Sequence, residues 1–517
     1  MSRQSGVDHL LFVRRTRPKR CWLAEPPHGW SSPGPISLLI RADRIRLCHL
    51  QEDFVSPTQT VDVQRLVDES PMSGMQKRAI ALCLAFGIVD GFDSLITGFV
   101  VPAISRDWEV SVASLTPVTL AAVFGTIFGA MVLAPFADKF GRRPVIFAGA
   151  AVFGLFTLAA SLAPTMEVLV VLRFIAGLGL GAVPATLIAY GTETAPSRLR
   201  GTMVTIIGAG LAAGGFFGGF AAGFMIPAFG WRSLFILGGI APLVLLFVAM
   251  KLLPETVQFS AAHGRRDQVV SSLAKIAPQF TVPADANFDA IHKSSEKSPF
   301  RSLFDNGRTA MTVVLWVLYL CQFIGSFFIF SWLPSVLTNA GIAETAALLA
   351  TSACTLGGMI GGVILGVTVD KVSARFKVLA ASYVVGAVAV LISAFSTGAL
   401  IGLFVALFFA GFGVIGTGVC MNSVAAGLYP TRIRTTAIGW FNGFGRVGSV
   451  VGPALGGLLL ALSLDSQTIF ILATIPTAIC AICVVALSIV SRRVVGESEA
   501  AITVTQQSDS PETIPSF

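Results

Sequence analysis

From residue 79 onward the chain is a succession of apolar runs of about twenty residues, broken by short polar joints. The runs fall near 79–102, 114–135, 145–163, 167–190, 201–225, 233–253, 310–338, 345–369, 377–396, 400–420, 433–460 and 466–490. Coiled as a helix, each is long enough to cross a hydrocarbon core of about 30 Å. The pattern predicts an all-α polytopic membrane protein with twelve transmembrane helices. The Gly-rich runs "GAGLAAGGFFGGFAAG" and "VGPALGGLLL" would weaken a soluble helix. Between membrane helices such small residues permit close approach, so they support the assignment.

The pattern is written twice. "APSRLRGT" from residue 195 returns as "YPTRIRTT" from residue 429, and "FADKFGRRPV" around Asp138 returns as "TVDKVSARFKV" around Asp370. Two landmarks at nearly one offset predict a six-span unit duplicated, with the substrate site expected between the two copies. The domains are then a cytoplasmic, largely disordered segment 1–78, a six-helix bundle 79–253, a central loop 254–309, a second bundle 310–490 and a tail 491–517. The Pro-, Arg- and Ser-rich stretch to about residue 60 reads as disorder without a signal peptide, and the native start is expected downstream, near Val55 or Val61.

Charge sets the orientation. Lys139, Arg142, Arg143, Arg198, Arg200, Lys371, Arg375, Lys377, Arg432 and Arg434 all fall in joints after even-numbered spans, whereas the opposite joints offer little beyond Arg106 and Arg232. The positive-inside rule puts the basic joints, both termini and the 254–309 loop in the cytoplasm of a bacterial inner (plasma) membrane. This asymmetry accounts for the net charge of +8 without a nucleic-acid partner.

Composition agrees: 54% of residues are hydrophobic and 12% charged, against about a quarter charged in soluble proteins. Most of the eight cysteines lie in apolar spans, and Cys480 and Cys483 of "CAIC" read as packing residues and not as a redox pair. All five histidines (His9, His28, His49, His263, His292) lie outside the spans, so a proton crossing the membrane must ride on another group.

"DKFGRRP" (Asp138 to Pro144), after the second span, and "LPET" (Leu253 to Thr256), after the sixth, resemble the loop signatures of the major facilitator superfamily. Ala134 stands where that pattern usually has Gly, and the second copy has Ser373-Ala374 for Gly-Arg. The resemblance implies two six-helix bundles and transport by alternating access. An acidic residue at a helix end can pair with arginines and with a neighbouring helix N-terminus. Asp138, Arg142, Arg143, Glu193, Asp370 and Arg434 are therefore expected in a cytoplasmic gating network, the first copy being the stronger latch.

The first span holds two acids, Asp90 and Asp93, three residues apart and so on one helix face. An ionised acid at mid-membrane costs about 2.5–3.5 kcal/mol. Burial and a like charge one turn away both favour a bound proton. The pair is expected to couple transport to protons, one acid as carrier and the other as a helix–helix tie, in either order; permanent pairing with a buried arginine is the structural alternative. Arg173 in the fourth span and Arg446 in the eleventh must face a cavity or a carboxylate, and Arg446 suits a substrate acid group.

"DGFDSLITGFVVPAI" resembles the first-helix signature of the aromatic acid:proton symporter family, carriers of benzoates and hydroxybenzoates, and "VDVQRLVDESPMSGMQKRAIALC" resembles its lead-in. That resemblance implies functional roles for Asp90, Asp93, Arg173, Glu193, Arg434 and Arg446; the absence of a membrane-embedded His departs from some members. An aromatic substrate needs a π-face. The seventh span carries Trp316, Tyr319, Phe323, Phe327 and Phe330 at helical spacing, with Gln322 as a polar point. Tyr319, Gln322, Asn442 and Trp440 join Arg446 and Arg173 as expected substrate contacts.

"GFGVIG" and "GFGRVG" fit Gly-x-Gly-x-x-Gly but lie inside apolar runs, out of context for a dinucleotide site, and no phosphate-binding loop appears. No nucleophile–base set emerges, so an enzyme is not expected. The reading is a monomeric secondary transporter of an aromatic carboxylate, with protons as coupling ion and no metal or cofactor. A carrier of sugars, aliphatic acids or drugs, and a transporter-like sensor, remain open.

Overall fold

The computed structural model describes residues 60–508, apart from 279, 281–286, 290–299, 306, 373, 397 and 430. The stretch read as disordered lies almost wholly outside the described residues. Among the described residues, twelve helices are long and apolar enough to cross a membrane. The first six are Gly74–Asp107, Val112–Val132, Arg142–Ala160, Met166–Thr194, Arg200–Phe229 and Arg232–Leu252. The second six are Thr309–Asn339, Glu344–Lys371, Arg375–Phe395, Leu400–Asn422, Thr431–Ala461 and Ser466–Ser508.

The same pairings recur in each half. The first helix lies along the fifth, the second along the fourth and the third along the sixth; the seventh lies along the eleventh, the eighth along the tenth and the ninth along the twelfth. The Gly-rich fifth helix makes its approach through missing side chains. A Cβ on Gly214 would sit 2.0 Å from the Ile88 carbonyl oxygen of the first helix.

Between halves the fifth helix packs on the eighth, the first on the seventh and the second on the eleventh. Near the end that carries Arg106 and Glu344, one hydrophobic core runs through both halves, from Phe99, Ile104 and Phe235 to Trp332, Leu348 and Leu407. At the end that carries the basic joints the cores are separate: Phe86, Phe153 and Leu187 in one half, Leu315, Tyr383 and Phe441 in the other. The halves thus form a V, closed away from the basic joints. At the seal Gly98 meets the seventh helix so tightly that a Cβ would lie 2.1 Å from the Phe330 carbonyl oxygen. Arg106 and Glu344 form an ion pair across it.

Several elements differ from the sequence reading. The first helix starts earlier, at Gly74, because Ser73 and Gln76 form a reciprocal capping box there. The second ends at Val132 and is followed by a separate short helix, Phe136–Phe140, that carries Asp138. The twelfth runs past residue 490 to Ser508. The lead-in and central loop contain order that apolar runs could not reveal. Strand Thr60–Asp62 pairs in parallel with Asn287–Asp289, and helices Val63–Glu69, Val257–Ala262 and Arg266–Ile276 bury Val61, Leu66, Phe259, Val269 and Leu273. The lead-in also binds the first half: Arg198 donates to the carbonyls of Asp68 (2.7 Å) and Ser70 (3.1 Å), and Gln76 to that of Thr194 (2.7 Å).

The tenth helix carries one π-helical turn, Phe412–Gly416, inside the "GFGVIG" run. A Cβ on Gly411 would lie 1.7 Å from the Cys354 carbonyl oxygen of the eighth helix. The glycine spacing that imitates a dinucleotide motif serves helix packing here.

Candidate functional site

A cavity of ≈ 300 Å³ lies between the halves, its wall drawn from the first, second, fourth, fifth, seventh, tenth and eleventh helices. Asp90 lines it from the first half; Arg446, Asn422 and Tyr319 line it from the second, with Phe323, Phe327 and Phe330 as an apolar wall. Phe323 and Phe327 stack at 5.9 Å, and Phe330 meets Phe327 edge-on at 5.8 Å.

The two acids of the first helix meet different surroundings. Asp93 is fully buried against Arg173, with 0% and 1% of their side chains exposed. Arg173 Nη1 donates to both carboxylate oxygens at 3.1 and 3.2 Å, its Nη2 donates to the Asp93 carbonyl at 3.1 Å, and Thr157 donates to Oδ1 at 2.8 Å. Phe235 covers the guanidinium at 5.7 Å. Asp90 has no such partner: its Oδ1 is buried and makes no hydrogen bond among the described residues. The charges it faces are Asp93 on its own helix and Arg446 across the cavity. The half-buried Arg446 guanidinium forms no ion pair among the described residues.

The other expected contacts divide by geometry. Gln322 lines the cavity, but its amide is spent: Nε2 donates to Ser326 (3.0 Å) and to the Val414 carbonyl in the π-turn (2.9 Å), and Oε1 accepts from Tyr383 (2.8 Å). Tyr319 and Asn442 both donate to Asn422 Oδ1, at 2.9 and 3.0 Å. Asn422 is the residue the sequence reading missed. Its signal was a lone amide in the apolar run "TGVCMNSVAAG". Trp440 is not in the cavity wall. It is 46% exposed on another face of the eleventh helix and packs on Phe300 at 4.5 Å.

At the basic end Arg142 is the hub. It bonds Glu193 (2.8 Å), Asp138 (2.9 Å) and the Ala137 carbonyl (3.0 Å). The Glu255 carboxylate of "LPET" accepts from the backbone N–H groups of Arg142 (3.1 Å) and Arg143 (3.2 Å), filling the N-terminus of the third helix. Burial raises the Glu255 pKa above its ordinary value despite those donors. Arg143 turns to the Met250 carbonyl (2.8 Å), and Glu193 also accepts from Thr256 (2.8 Å). Arg198, five residues after Glu193, goes to the lead-in instead. In the second half Arg434 is half-buried with an Nε that has no partner among the described residues, and the Asp370 side chain lies outside the described residues.

Known proteins share this architecture. Residues 79–351 match the family described as Sugar (and other) transporter, and residues 315–508 match the Major Facilitator Superfamily. The chain is 34% identical to the 4-hydroxybenzoate transporter PcaK of Acinetobacter baylyi, over 85% of this chain and 97% of that protein. It is 32% identical to a gallate transporter of Pseudomonas putida, over 82% and 95%. In structure it is similar to the inward open conformation of the xylose transporter XylE from E. coli, with TM-score 0.63 and 18% identity, covering 79% of this chain and 95% of that one.

Proposed function

This chain belongs to the major facilitator superfamily, and on that premise we propose that it imports an aromatic carboxylate together with protons by alternating access. The observation that carries the reading is a carboxylate oxygen on one half and a guanidinium on the other, the first without a hydrogen bond and the second without an ion pair among the described residues, facing one cavity with a phenylalanine wall.

In this reading the substrate carboxylate binds the Arg446 fork and its ring lies on Phe323 and Phe327. Asp90 carries the proton; Asp93, locked to Arg173, is the tie between the first and fourth helices. Charge balance then supplies the coupling. In the loaded carrier Asp90 is neutral and the substrate cancels Arg446. In the empty carrier the Asp90 anion and the Arg446 cation cancel each other. A half-loaded carrier would close around a net charge, at a cost of several kcal/mol. One proton per anion also removes the electrical penalty of about 2.3 kcal/mol per 100 mV that an anion meets on entering a negative interior.

With the basic joints read as cytoplasmic, the open side of the V faces the cytoplasm and the described state is the one that releases cargo inward. The similarity to 4-hydroxybenzoate and gallate transporters supports a benzoate-type substrate. The carrier needs no bound metal or cofactor and works as a monomer in the bacterial inner membrane.

The test is uptake of labelled 4-hydroxybenzoate into proteoliposomes under an inward proton gradient. Gradient-driven accumulation, competed by benzoate and not by glucose or succinate, is expected. Accumulation that ignores the gradient, or that glucose blocks, overturns the proposal.

A further inference from the structure

The hydrogen bonds around Asn422 can be assigned without ambiguity. Asn442 Nδ2 donates to the Ile438 carbonyl at 3.0 Å, and a carbonyl only accepts, so the Asn442 amide has one possible orientation. The same Nδ2 meets Asn422 at 3.0 Å, which must therefore present its oxygen. Tyr319, at 2.9 Å from that oxygen, must then be a donor. Two unspent functions around Asn422 remain at the cavity wall, beside the Asn442 Oδ1, which has no donor among the described residues. The Asn422 NH2 group has no acceptor among the described residues, and the Tyr319 oxygen, its hydrogen used, keeps lone pairs.

A hydroxyl group is the complement of this pair. Its oxygen accepts from Asn422 while its hydrogen goes to the Tyr319 oxygen. A bare ring edge offers neither. Asn442 and Arg446 are four residues apart on one helix face, a rise of about 6 Å, close to the separation of the polar groups on a para-substituted benzene ring. Of the other polar groups around the second half of the cavity, Gln322 is committed as described, Ser449 donates to the Arg446 carbonyl, and Ser326 accepts from Gln322.

We propose that Asn422, fixed by Tyr319 and Asn442, reads a ring hydroxyl para to the substrate carboxylate. The assignment rests on the aromatic-carboxylate reading above and names a specificity-determining residue within it. A site built to bond a hydroxyl discriminates against the analogue that lacks it, because its own groups are left unpaired.

The experiment measures KM with 4-hydroxybenzoate and with benzoate as substrate, for the full chain in proteoliposomes and for Asn422→Leu and Tyr319→Phe. The wild type is expected to favour the hydroxylated acid by about tenfold in KM. Asn422→Leu should erase that preference by raising KM for the hydroxylated acid alone. Tyr319→Phe, which keeps the ring that packs on Phe441, should erase most of it if the leucine variant does not fold. A wild type that takes up both acids with equal KM overturns the hydroxyl assignment and leaves the carboxylate reading standing. So does a preference that survives Asn422→Leu or Tyr319→Phe. A wild type that takes up neither acid overturns the carboxylate reading itself.

Discussion

Asp93 and Arg173 form a buried ion pair, 3.1 Å apart and 80 residues apart in sequence, with Arg173 also part of the cavity wall. Three residues earlier, Asp90 faces the cavity with a carboxylate oxygen that has no partner among the described residues. One helix therefore presents a structural acid and an available one. Asp93→Asn strands a buried guanidinium and should destabilise the protein by about 3–5 kcal/mol, seen as a lower Tm and poor yield. Asp90→Asn should keep the wild-type Tm and still exchange substrate in counterflow, but lose gradient-driven accumulation. The reverse pattern would exchange the two roles.

Arg446 should be irreplaceable by lysine. A point charge cannot reproduce the bidentate fork on a carboxylate. Arg446→Lys and Arg446→Ala are both expected to raise KM for benzoate by about tenfold or more. In the wild type, initial uptake should be unchanged when valinomycin and potassium clamp the membrane potential at zero or at a negative value, since one anion and one proton cross together. Uptake that climbs steeply with a negative interior would mean a second proton.

The Arg106–Glu344 pair is the ionic link across the seal, but Arg106 is 66% exposed and Glu344 13%. Exposed pairs contribute about 0–1 kcal/mol. Glu344→Gln is therefore expected to shift the population towards opening at that end by no more than about fivefold. Spin labels placed on either side of the seal would report a modest longer-distance fraction. A complete switch would show that the shared apolar core contributes less than its extent suggests.

Glu255 gives the basic end a pH signature. Its pKa is raised in the folded protein, by burial above all, so the folded state holds the proton more tightly than the unfolded chain. The stability tied to that proton is fully present below the ordinary glutamate pKa and is lost as pH rises through the raised value. In scans of the purified protein upward from about pH 4, the Tm of the wild type should fall relative to Glu255→Gln as pH rises through that raised value. Parallel curves would contradict it.

The twelve spans were legible because a bilayer demands long apolar runs, and the duplication because its landmarks are positional. What escaped is what depends on partners far along the chain. Spacing put Asp90 and Asp93 on one face, yet only the packing of the first helix against the fourth decides which acid meets Arg173. Trp440 and Asn442 both lie near Arg446 in sequence. Four residues keep Asn442 on the cavity side, while six turn Trp440 to another face. The order in the lead-in and central loop was invisible because each segment is too short to carry a pattern alone and finds its core only in the other.

That meeting of lead-in and loop fastens the front of the chain to its middle. With Thr60–Asp62 paired to Asn287–Asp289, the backbone that leads into the first half is tied to the loop that leaves it, without any residue of the second. A gene cut beyond Asp289 would yield two polypeptides, the first already knotted off as a parcel and the second free to dock along the common apolar seam. Deleting Thr60–Asp62, which lie in no membrane helix, would untie that parcel from the far end.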